Sequence, residues 1–137
     1  MLLCGGVSID FGEFFTTLDP LELSFGTLDD CVVYTPGFFG GFQSKPGLSA
    51  GRALPTIHAL PGGQALIAGG TDFVLDLGDL LASQFTALSD ADRYAGGSLG
   101  PTGSMQAARL APVMHTLDDG TVLVVGGGPI EAEVYQP

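Results

Sequence analysis

The segment RALPTIHALPGGQALIAGG, residues 52–70, recurs 57 positions later as RLAPVMHTLDDGTVLVVGG, residues 109–127. In this register Arg52 falls on Arg109, His58 falls on His115, and a glycine doublet closes each copy. A match at charged, proline and glycine positions together indicates one structural unit that occurs at least twice. The chain is therefore a repeat protein, and its fold follows from the structure of one unit.

Each copy has the pattern of a β-hairpin that ends in the glycine doublet. In the second copy an apolar segment, residues 113–117, is followed by the turn sequence Asp118-Asp119-Gly120 and by a β-branched run at 121–125. An almost continuous apolar run is typical of a strand covered on both faces. With 22 Gly and 9 Pro in 137 residues, long helices would be broken too often to dominate. Period and composition together predict an all-β fold built of propeller blades.

Two further features extend the repeat over the rest of the chain. A third glycine doublet lies near the start, and a tyrosine on a short strand-like segment follows each doublet. The unit is then strand, turn, strand, glycine doublet, variable segment and tyrosine strand. Besides the matched arginines and histidines, the positions that we assign to the structure of the repeat are Gly5, Gly6, Gly69, Gly70, Gly126, Gly127, Tyr34, Tyr94 and Tyr135.

The order of these positions resembles the kelch family, particularly its bacterial repeats. Thr102-Gly103-Ser104-Met105 precedes Ala108-Arg109, and His115, Asp119-Gly120, Gly126-Gly127 and Tyr135-Gln136-Pro137 follow in that order. The match covers residues 49–137 well and residues 1–48 more loosely. The resemblance implies a partial kelch-type β-propeller of about two to three four-stranded antiparallel blades. The chain lacks the tryptophan that the family carries on its outermost strand, and Leu99 and Phe42 are the candidates for its place.

The repeat register divides the chain into three parts of one propeller domain. We expect a partial blade without its first strand at 1–48, a complete blade at 49–104 and a partial blade without its last strand at 105–137. Propellers close with about four to eight blades, so we expect a fragment of a longer protein, or a ring completed by association with other blades. The compartment stays open, and an export signal would have to precede Met1, because none fits ahead of Cys4.

Charge and hydropathy limit the classes of partner. The 15 acidic against 4 basic residues give a formal charge of −11, which repels phosphate backbones, so nucleic acid is not an expected partner. No apolar stretch approaches the roughly 20 residues of a membrane-spanning helix. Cys4 and Cys31 would lie on adjacent strands of one blade, where a disulfide and two buried thiols are both compatible with the sequence.

Histidine, tyrosine and cysteine together raise the question of a metal centre. The matched positions of His58 and His115 place the two imidazoles on neighbouring blades, which favours structural hydrogen bonding over a ligand role. We expect Arg52 and Arg109 to pair with backbone carbonyls or a nearby carboxylate. The sequence thus predicts no catalytic residue, no metal and no cofactor. The alternative is the propeller of a galactose-oxidase-like enzyme, a family that holds copper with two tyrosines and two histidines, one tyrosine being cross-linked to a cysteine.

The segments between glycine doublet and tyrosine differ most in length. They span 28 positions from Gly6 to Tyr34, 24 from Gly70 to Tyr94, and 8 from Gly127 to Tyr135. The two long loops should form a rim at one mouth of the propeller, where ligands commonly bind. Residues 76–82, within the second loop, could form a short helical turn. The candidate binding residues on the loops are Asp10, Phe11, Phe14, Phe15, Asp72, Phe73, Asp76 and Asp79.

Both long loops mix leucine and phenylalanine with acidic residues. Exposed apolar groups with an acidic rim suit recognition of a protein or a glycan, although the same side chains could instead fold back over the blade edge. We therefore predict a non-enzymatic kelch-type binding or scaffold module that contacts its unidentified partner through these loops.

Overall fold

The computed structural model describes residues 1–12, 14–18 and 23–137, and for Phe14 and Phe15 it describes the backbone alone. Within these residues fourteen strands form four antiparallel sheets, accompanied by one helical turn, α1 (Phe14–Thr17). The strands are β1 (Leu2–Cys4), β2 (Val7–Asp10), β3 (Ser24–Thr27), β4 (Cys31–Thr35), β5 (Gly41–Lys45), β6 (Thr56–Leu60), β7 (Gln64–Ala68), β8 (Thr71–Asp76), β9 (Gln84–Ala87), β10 (Ala91–Ala95), β11 (Ser98–Pro101), β12 (Val113–Thr116), β13 (Val122–Val125) and β14 (Ala132–Tyr135). The predicted all-β fold is confirmed. In the described part of the chain, no helix is long and apolar enough to cross a membrane.

Three of the sheets are blades that share one strand order. The middle blade is β6–β7–β10–β11, and its neighbours are β1–β4–β5 and β12–β13–β14. The repeat register matches β1 and β13 to β7, and β4 and β14 to β10. Strand β6 of the middle blade contacts strand β12 of the third blade. This contact between adjacent blades identifies both as inner strands next to the propeller axis.

Strand β7 is buried because a blade packs against each of its faces. Its consecutive residues Leu66 and Ile67 point to opposite sides of the sheet, and both are fully buried. Leu66 belongs to a cluster with Val122 and Val124 of the next blade, and Ile67 to a cluster with Cys31 of the preceding blade. Packing between blades is thus what covers the continuous apolar run seen in the sequence.

The outermost strands differ in how well they pack. Leu99 on β11 lies opposite Tyr94, and Phe42 on β5 lies opposite Tyr34, so the two side chains occupy matching positions. Leu99 is partly buried against the core. Phe42 is 68 % exposed and contacts the Tyr34 ring, with 5.1 Å between ring centroids. The place assigned to the missing tryptophan is therefore filled in the middle blade and only loosely covered in the first.

A disulfide joins Cys4 on β1 to Cys31 on β4. The two residues lie directly opposite each other in the strand register, and Cys31 is buried. The bond closes a segment with a sequence separation of 27, which contains β2, α1 and β3. Of the two alternatives that the sequence allowed, the structure has the disulfide, and the bond ties both ends of this segment to the first blade.

The fourth sheet is formed by the two segments that were predicted to be long loops. They are β-hairpins, β2–β3 and β8–β9, and β3 pairs with β8 to give the order β2–β3–β8–β9. We call this unit the hairpin sheet. Each of two adjacent blades supplies one hairpin, and the residues that pair across the junction are about 50 positions apart. Such distant pairing leaves no local signal, because each hairpin carries only half of the sheet.

Candidate binding site at the hairpin sheet

The backbone of the following blade holds each hairpin at its base. Gly6 N–H donates to Arg52 O at 3.0 Å, Leu28 N–H to Gly6 O at 3.1 Å, and Arg52 N–H to Leu28 O at 3.0 Å. The same three hydrogen bonds, at 2.7–3.0 Å, recur among Gly70, Leu88 and Arg109. We call each set of three a base anchor. Because the base anchor recurs with the repeat, the hairpins project from the blades at matching points.

The arginines of the base anchors are buried in ion pairs. Arg52 Nη2 lies 3.2 Å from Asp92 Oδ2, and Arg109 Nε lies 2.7 Å from Glu133 Oε1. Each Nη1 also donates to two backbone carbonyls of its blade. Burial lowers the pKa of Arg52, and the charge of Asp92 opposes that effect. Both guanidinium groups are fully buried and bond to groups of their own blade, so they stabilise that blade from within and are inaccessible to a ligand.

His58 links two adjacent blades at the inner edge. His58 Nε2 on β6 lies 2.8 Å from Thr116 Oγ1 on β12, within hydrogen-bond distance. Burial and, to a smaller extent, His115 lower the pKa of His58. Among residues 1–12, 14–18 and 23–137, no three His, Cys, Asp or Glu side chains are grouped so that they could hold a metal ion. Both cysteines are engaged in the disulfide, so in this state neither carries the tyrosine cross-link of the oxidase alternative.

The hairpin sheet has one apolar face and one polar face. Side chains alternate along a strand, and paired residues share a face. The register therefore places Phe73 and Phe85 together, and their rings stack with 5.4 Å between centroids and 10° between planes. The apolar face consists of Val7, Ile9, Phe25, Phe73, Leu75 and Phe85. The polar face carries Asp10, Ser24, Asp72 and Asp76, together with one exposed apolar side chain, Val74.

An open cleft of about 750 Å³ lies between the apolar face and the segments that lead into the second and third blades. Val7, Phe73 and Phe85 line it on the sheet side, and Ala53, Leu54 and Leu110 line it on the blade side. Nearly all of its lining is apolar, and no charged side chain of the described residues takes part. Phe85 is 66 % exposed and Leu54 62 %. The volume lies within the range of small-ligand sites.

Leu54 adopts a left-handed backbone conformation, with φ of 53°. Ala111, the matching residue of the next repeat, has φ of 46°. This conformation costs a non-glycine residue roughly 1–2 kcal/mol, so the surrounding structure must hold it in place. Because the left-handed conformation occurs in both copies, it is a property of the repeat. Of the two residues, only Leu54 has a large side chain that lines the cleft.

Of the predicted binding residues that the structure describes, Phe73 alone lines the cleft. Asp10 accepts a hydrogen bond from Gly12 N–H at 3.0 Å, and Asp72 accepts one from the Thr27 hydroxyl. Phe11 follows β2 and is 41 % exposed. The side chains of Phe14 and Phe15 lie outside the described atoms.

Asp76 and Asp79 shape the turn between β8 and β9. Their carboxylates accept hydrogen bonds at 2.8–3.3 Å from backbone N–H groups within residues 78–82. The backbone of this connection also makes one tight turn, because Ala82 N–H donates to Asp79 O at 3.0 Å and Ser83 N–H donates to Leu80 O at 3.3 Å. Two successive hydrogen bonds of this spacing are of 3₁₀ type, so the helical turn predicted at 76–82 occurs only in the second half of that range. Aspartate side chains that bond to the backbone two or three residues later stabilise turns in this way.

Phe85, Leu54 and Leu110 belong to the cleft and were not predicted. Phe85 could have been found from the alternation of polar and apolar residues at 71–76 and 84–87, which indicates paired strands. Leu110 directly follows Arg109, and Leu54 lies two residues after Arg52. That these leucines line the cleft is seen only from the left-handed conformation at Leu54 and from the packing of the blades.

Comparison with known proteins identifies the architecture. By sequence, the chain matches no protein-family profile and no curated protein. By structure, it superposes on YjhT with a TM-score of 0.59 over 82 % of this chain, at 14 % identity. It also superposes on a fungal alcohol oxidase of the AA5 family in complex with copper, with a TM-score of 0.64 over 98 % of this chain, at 14 % identity. The fold is that of a β-propeller.

The propeller likeness is one of fold alone. The chain spans 38 % of the length of YjhT and 31 % of that of the oxidase. The predicted partial propeller is confirmed as a kelch-like or galactose-oxidase-like fold, and the similarity does not extend to membership of a particular kelch-repeat family. Copper is a property of the oxidase, and fold similarity by itself does not transfer function.

Proposed function

We propose that this propeller segment is a non-enzymatic protein-recognition module whose cleft at the hairpin sheet receives an apolar side chain of a partner. The observation that carries the proposal is the cleft itself, an open apolar volume of about 750 Å³ with Phe85 and Leu54 exposed on opposite walls. Contiguous exposed apolar surface is typical of interaction sites.

The exposed walls supply enough apolar surface for a useful anchor. An aromatic side chain buries roughly 150–250 Å² when fully covered, so covering the exposed two-thirds of Phe85 removes roughly 100–150 Å² from water. At about 25 cal/mol per Å² that is worth about 3 kcal/mol. Leu54 adds about 1–2 kcal/mol on the same basis. The sum corresponds to roughly a thousandfold in affinity before the costs of association are counted.

The two walls are connected by the backbone, which favours a preformed site. Ala53 N–H donates to Thr71 O at 2.8 Å, and Thr71 N–H donates to Ala53 O at 2.9 Å. This pair joins the segment that carries Leu54 to the first residue of β8, the strand that carries Phe73. Binding groups on elements fixed in this way lose little freedom when a partner binds.

The chemistry of the cleft favours a protein over a glycan. Sugar hydroxyls need hydrogen-bond partners when they leave water, and the cleft lining is almost entirely apolar. The acidic residues of the hairpin sheet, whose carboxylates accept hydrogen bonds from hydroxyls, lie on its opposite face: Asp10, Asp72 and Asp76. An aliphatic or aromatic side chain fits the cleft without leaving buried polar groups unpaired.

Selection from a random peptide display library would test the proposal. We expect selected peptides to share an apolar anchor, and Phe85→Ala to weaken their binding at least tenfold, in line with the apolar area lost. Phe39→Ala is the matched control, because Phe39 is 96 % exposed and lies in the β4–β5 turn, at the far end of the first blade. Calorimetric titration with one selected peptide gives the affinities.

Equal losses in the Phe85 and Phe39 variants would place binding outside the cleft and contradict the proposal. A glycan array provides the second arm of the test. Binding of a glycan that is lost in Phe85→Ala, without selection of any peptide, would replace the protein partner by a carbohydrate.

A further inference from the structure

Strand β9 forms an open edge of the hairpin sheet beside the cleft. The sheet order places β8 on one side of β9 and no described strand on the other, and all four residues of β9 are exposed. Leu88 N–H donates back to Gly70 O at 2.9 Å, and backbone groups alternate in direction along a strand. Gln84 and Thr86 therefore face β8, whereas Phe85 and Ala87 direct two N–H and two C=O groups outward.

The sequence of β9, Gln84-Phe85-Thr86-Ala87, has none of the features that usually protect an edge. It contains no lysine and no proline, residues that proteins use to prevent pairing with another chain. Phe85 and Ala87, whose backbone groups face outward, also line the cleft. An extended chain that paired with β9 would therefore place every second side chain at the cleft.

The remaining side chains of such a segment would extend on the polar face of the hairpin sheet. Asp72 lies opposite Thr86 in the β8–β9 register, and Asp76 lies on the same face, with the exposed side chain of Val74 between the two carboxylates. The chain carries a net charge of −11, and two of its four basic residues, Arg52 and Arg109, are buried in ion pairs. Basic side chains would therefore be favoured beside these carboxylates, and acidic ones disfavoured.

We infer that β9 binds an extended segment of a partner protein by strand addition, and that this segment alternates apolar with basic residues. The inference rests on the proposed function, because the apolar side chains of the segment are the ones that would enter the cleft. Backbone hydrogen bonds to Phe85 and Ala87 supply pairing, and the alternation of side chains supplies specificity.

A synthetic octapeptide of alternating valine and lysine, blocked at both ends, is the probe. Its control has the same composition as four valines followed by four lysines, which keeps charge and hydropathy but removes the alternation. We expect the alternating peptide to bind at least tenfold more tightly in calorimetric titration, and its affinity to fall with added salt because exposed charges are screened. Equal affinities would overturn the inference.

N-methylation of the probe tests strand addition directly. In one peptide all valines are N-methylated, and in the other all lysines. Only one of these sets can direct its N–H groups toward β9, the valines if the peptide runs antiparallel and the lysines if it runs parallel. We expect one peptide to lose at least tenfold in affinity and the other to retain most of it. Equal effects of the two modifications would refute pairing with an edge strand.

The variant Ala87→Pro removes one outward N–H and leaves the bonds between β8 and β9 in place, as proline is tolerated at edge positions whose N–H faces solvent. We expect at least tenfold weaker binding of the alternating peptide with an unchanged urea midpoint. Concentration-dependent dimerisation that Ala87→Pro abolishes, without peptide binding, would assign the edge to a second copy of this chain and overturn the inference. If display-selected peptides bind the cleft but are insensitive to N-methylation, the inference fails while the proposed function stands.

Discussion

Substitution of Gly69 by alanine should separate a packing cost from a conformational one. Gly69 has φ of 68°, and a Cβ atom at this position would lie 2.5 Å from Arg109 O, a backbone atom of the next blade. Gly126 matches Gly69 in the repeat and has φ of 74°. Among the described residues, however, no atom lies within 4 Å of its Cβ position. The two glycines therefore share a backbone conformation and differ in the proximity of a neighbour.

The expected magnitudes follow from this difference. A left-handed alanine lowers the free energy of unfolding by roughly 1–2 kcal/mol. Alanine also restricts the unfolded chain more than glycine does, which offsets about 0.5–1 kcal/mol of that cost. The net loss of stability in Gly126→Ala should therefore be about 0.5–1 kcal/mol. In Gly69→Ala the Arg109 carbonyl must also move. That carbonyl accepts the base-anchor hydrogen bond from Gly70 N–H at 2.7 Å, and disturbing a buried hydrogen bond adds about 1–3 kcal/mol. The total for Gly69→Ala is about 2–4 kcal/mol.

Urea unfolding followed by circular dichroism measures both variants. With a denaturant dependence of about 1–3 kcal/mol per molar urea, the midpoint of Gly69→Ala should lie roughly 1 M below that of Gly126→Ala. Amide exchange at Leu88, whose N–H belongs to the same base anchor, should accelerate in Gly69→Ala alone. Equal midpoints would refute the argument that close approach between blades fixes the base of the β8–β9 hairpin.

Three other perturbations test the scaffold. Asp92→Ala should lower the free energy of unfolding by about 3–5 kcal/mol, measured in urea, because it leaves Arg52 buried without its carboxylate. Because the pKa of His58 is lowered in the folded state, the unfolded chain binds more protons than the folded chain below about pH 6.5. The free energy of unfolding should therefore be retained above that pH and fall as the pH decreases. His58→Gln should reduce this dependence of stability on pH. Reduction of the Cys4–Cys31 bond, with a separation of 27 residues, should cost about 3–4 kcal/mol and lower the urea midpoint in dithiothreitol.

Each of these perturbations has a matched control. Asp118→Ala alters an exposed carboxylate in the β12–β13 turn and should change stability by less than about 0.5 kcal/mol. His115→Gln should flatten the pH dependence less than His58→Gln, because His115 is the smaller of the two causes of the shift. A chain with both cysteines changed to serine should not respond to dithiothreitol. A stability change equal to that of its control would contradict the corresponding prediction.

The blades could be predicted from the sequence because their information is local and repeated. Strand β13, observed at Val122–Val125, was predicted at 121–125 from a β-branched run between a turn and a glycine doublet. The hairpin sheet could not be predicted in the same way. Its central pairing, β3 with β8, joins residues about 50 positions apart on two different blades. Neither segment has a complementary partner nearby in sequence, so both were interpreted as loops.

The residues of the cleft likewise differ in whether the sequence predicts them. Phe73 was predicted because it lies in a variable segment with apolar and acidic residues. Leu54 and Leu110 were missed because sequence reasoning assigned their surroundings to the repeat scaffold. The left-handed conformation at Leu54 directs this part of the scaffold to the mouth, and that conformation depends on contacts between blades that a single repeat does not contain.

The openness of the cleft follows from the order of long and short segments. The first two blades each carry a hairpin between glycine doublet and tyrosine, while the segment from Gly127 to Tyr135 has only 8 positions and forms none. Leu110, which follows Arg109 and donates its N–H to Gly127 O at 2.7 Å, is consequently 42 % exposed on the blade side of the cleft. The buried ion pairs and base anchors fix where a hairpin can stand, and the length of each segment decides whether it covers its neighbour or leaves an apolar wall exposed to a partner.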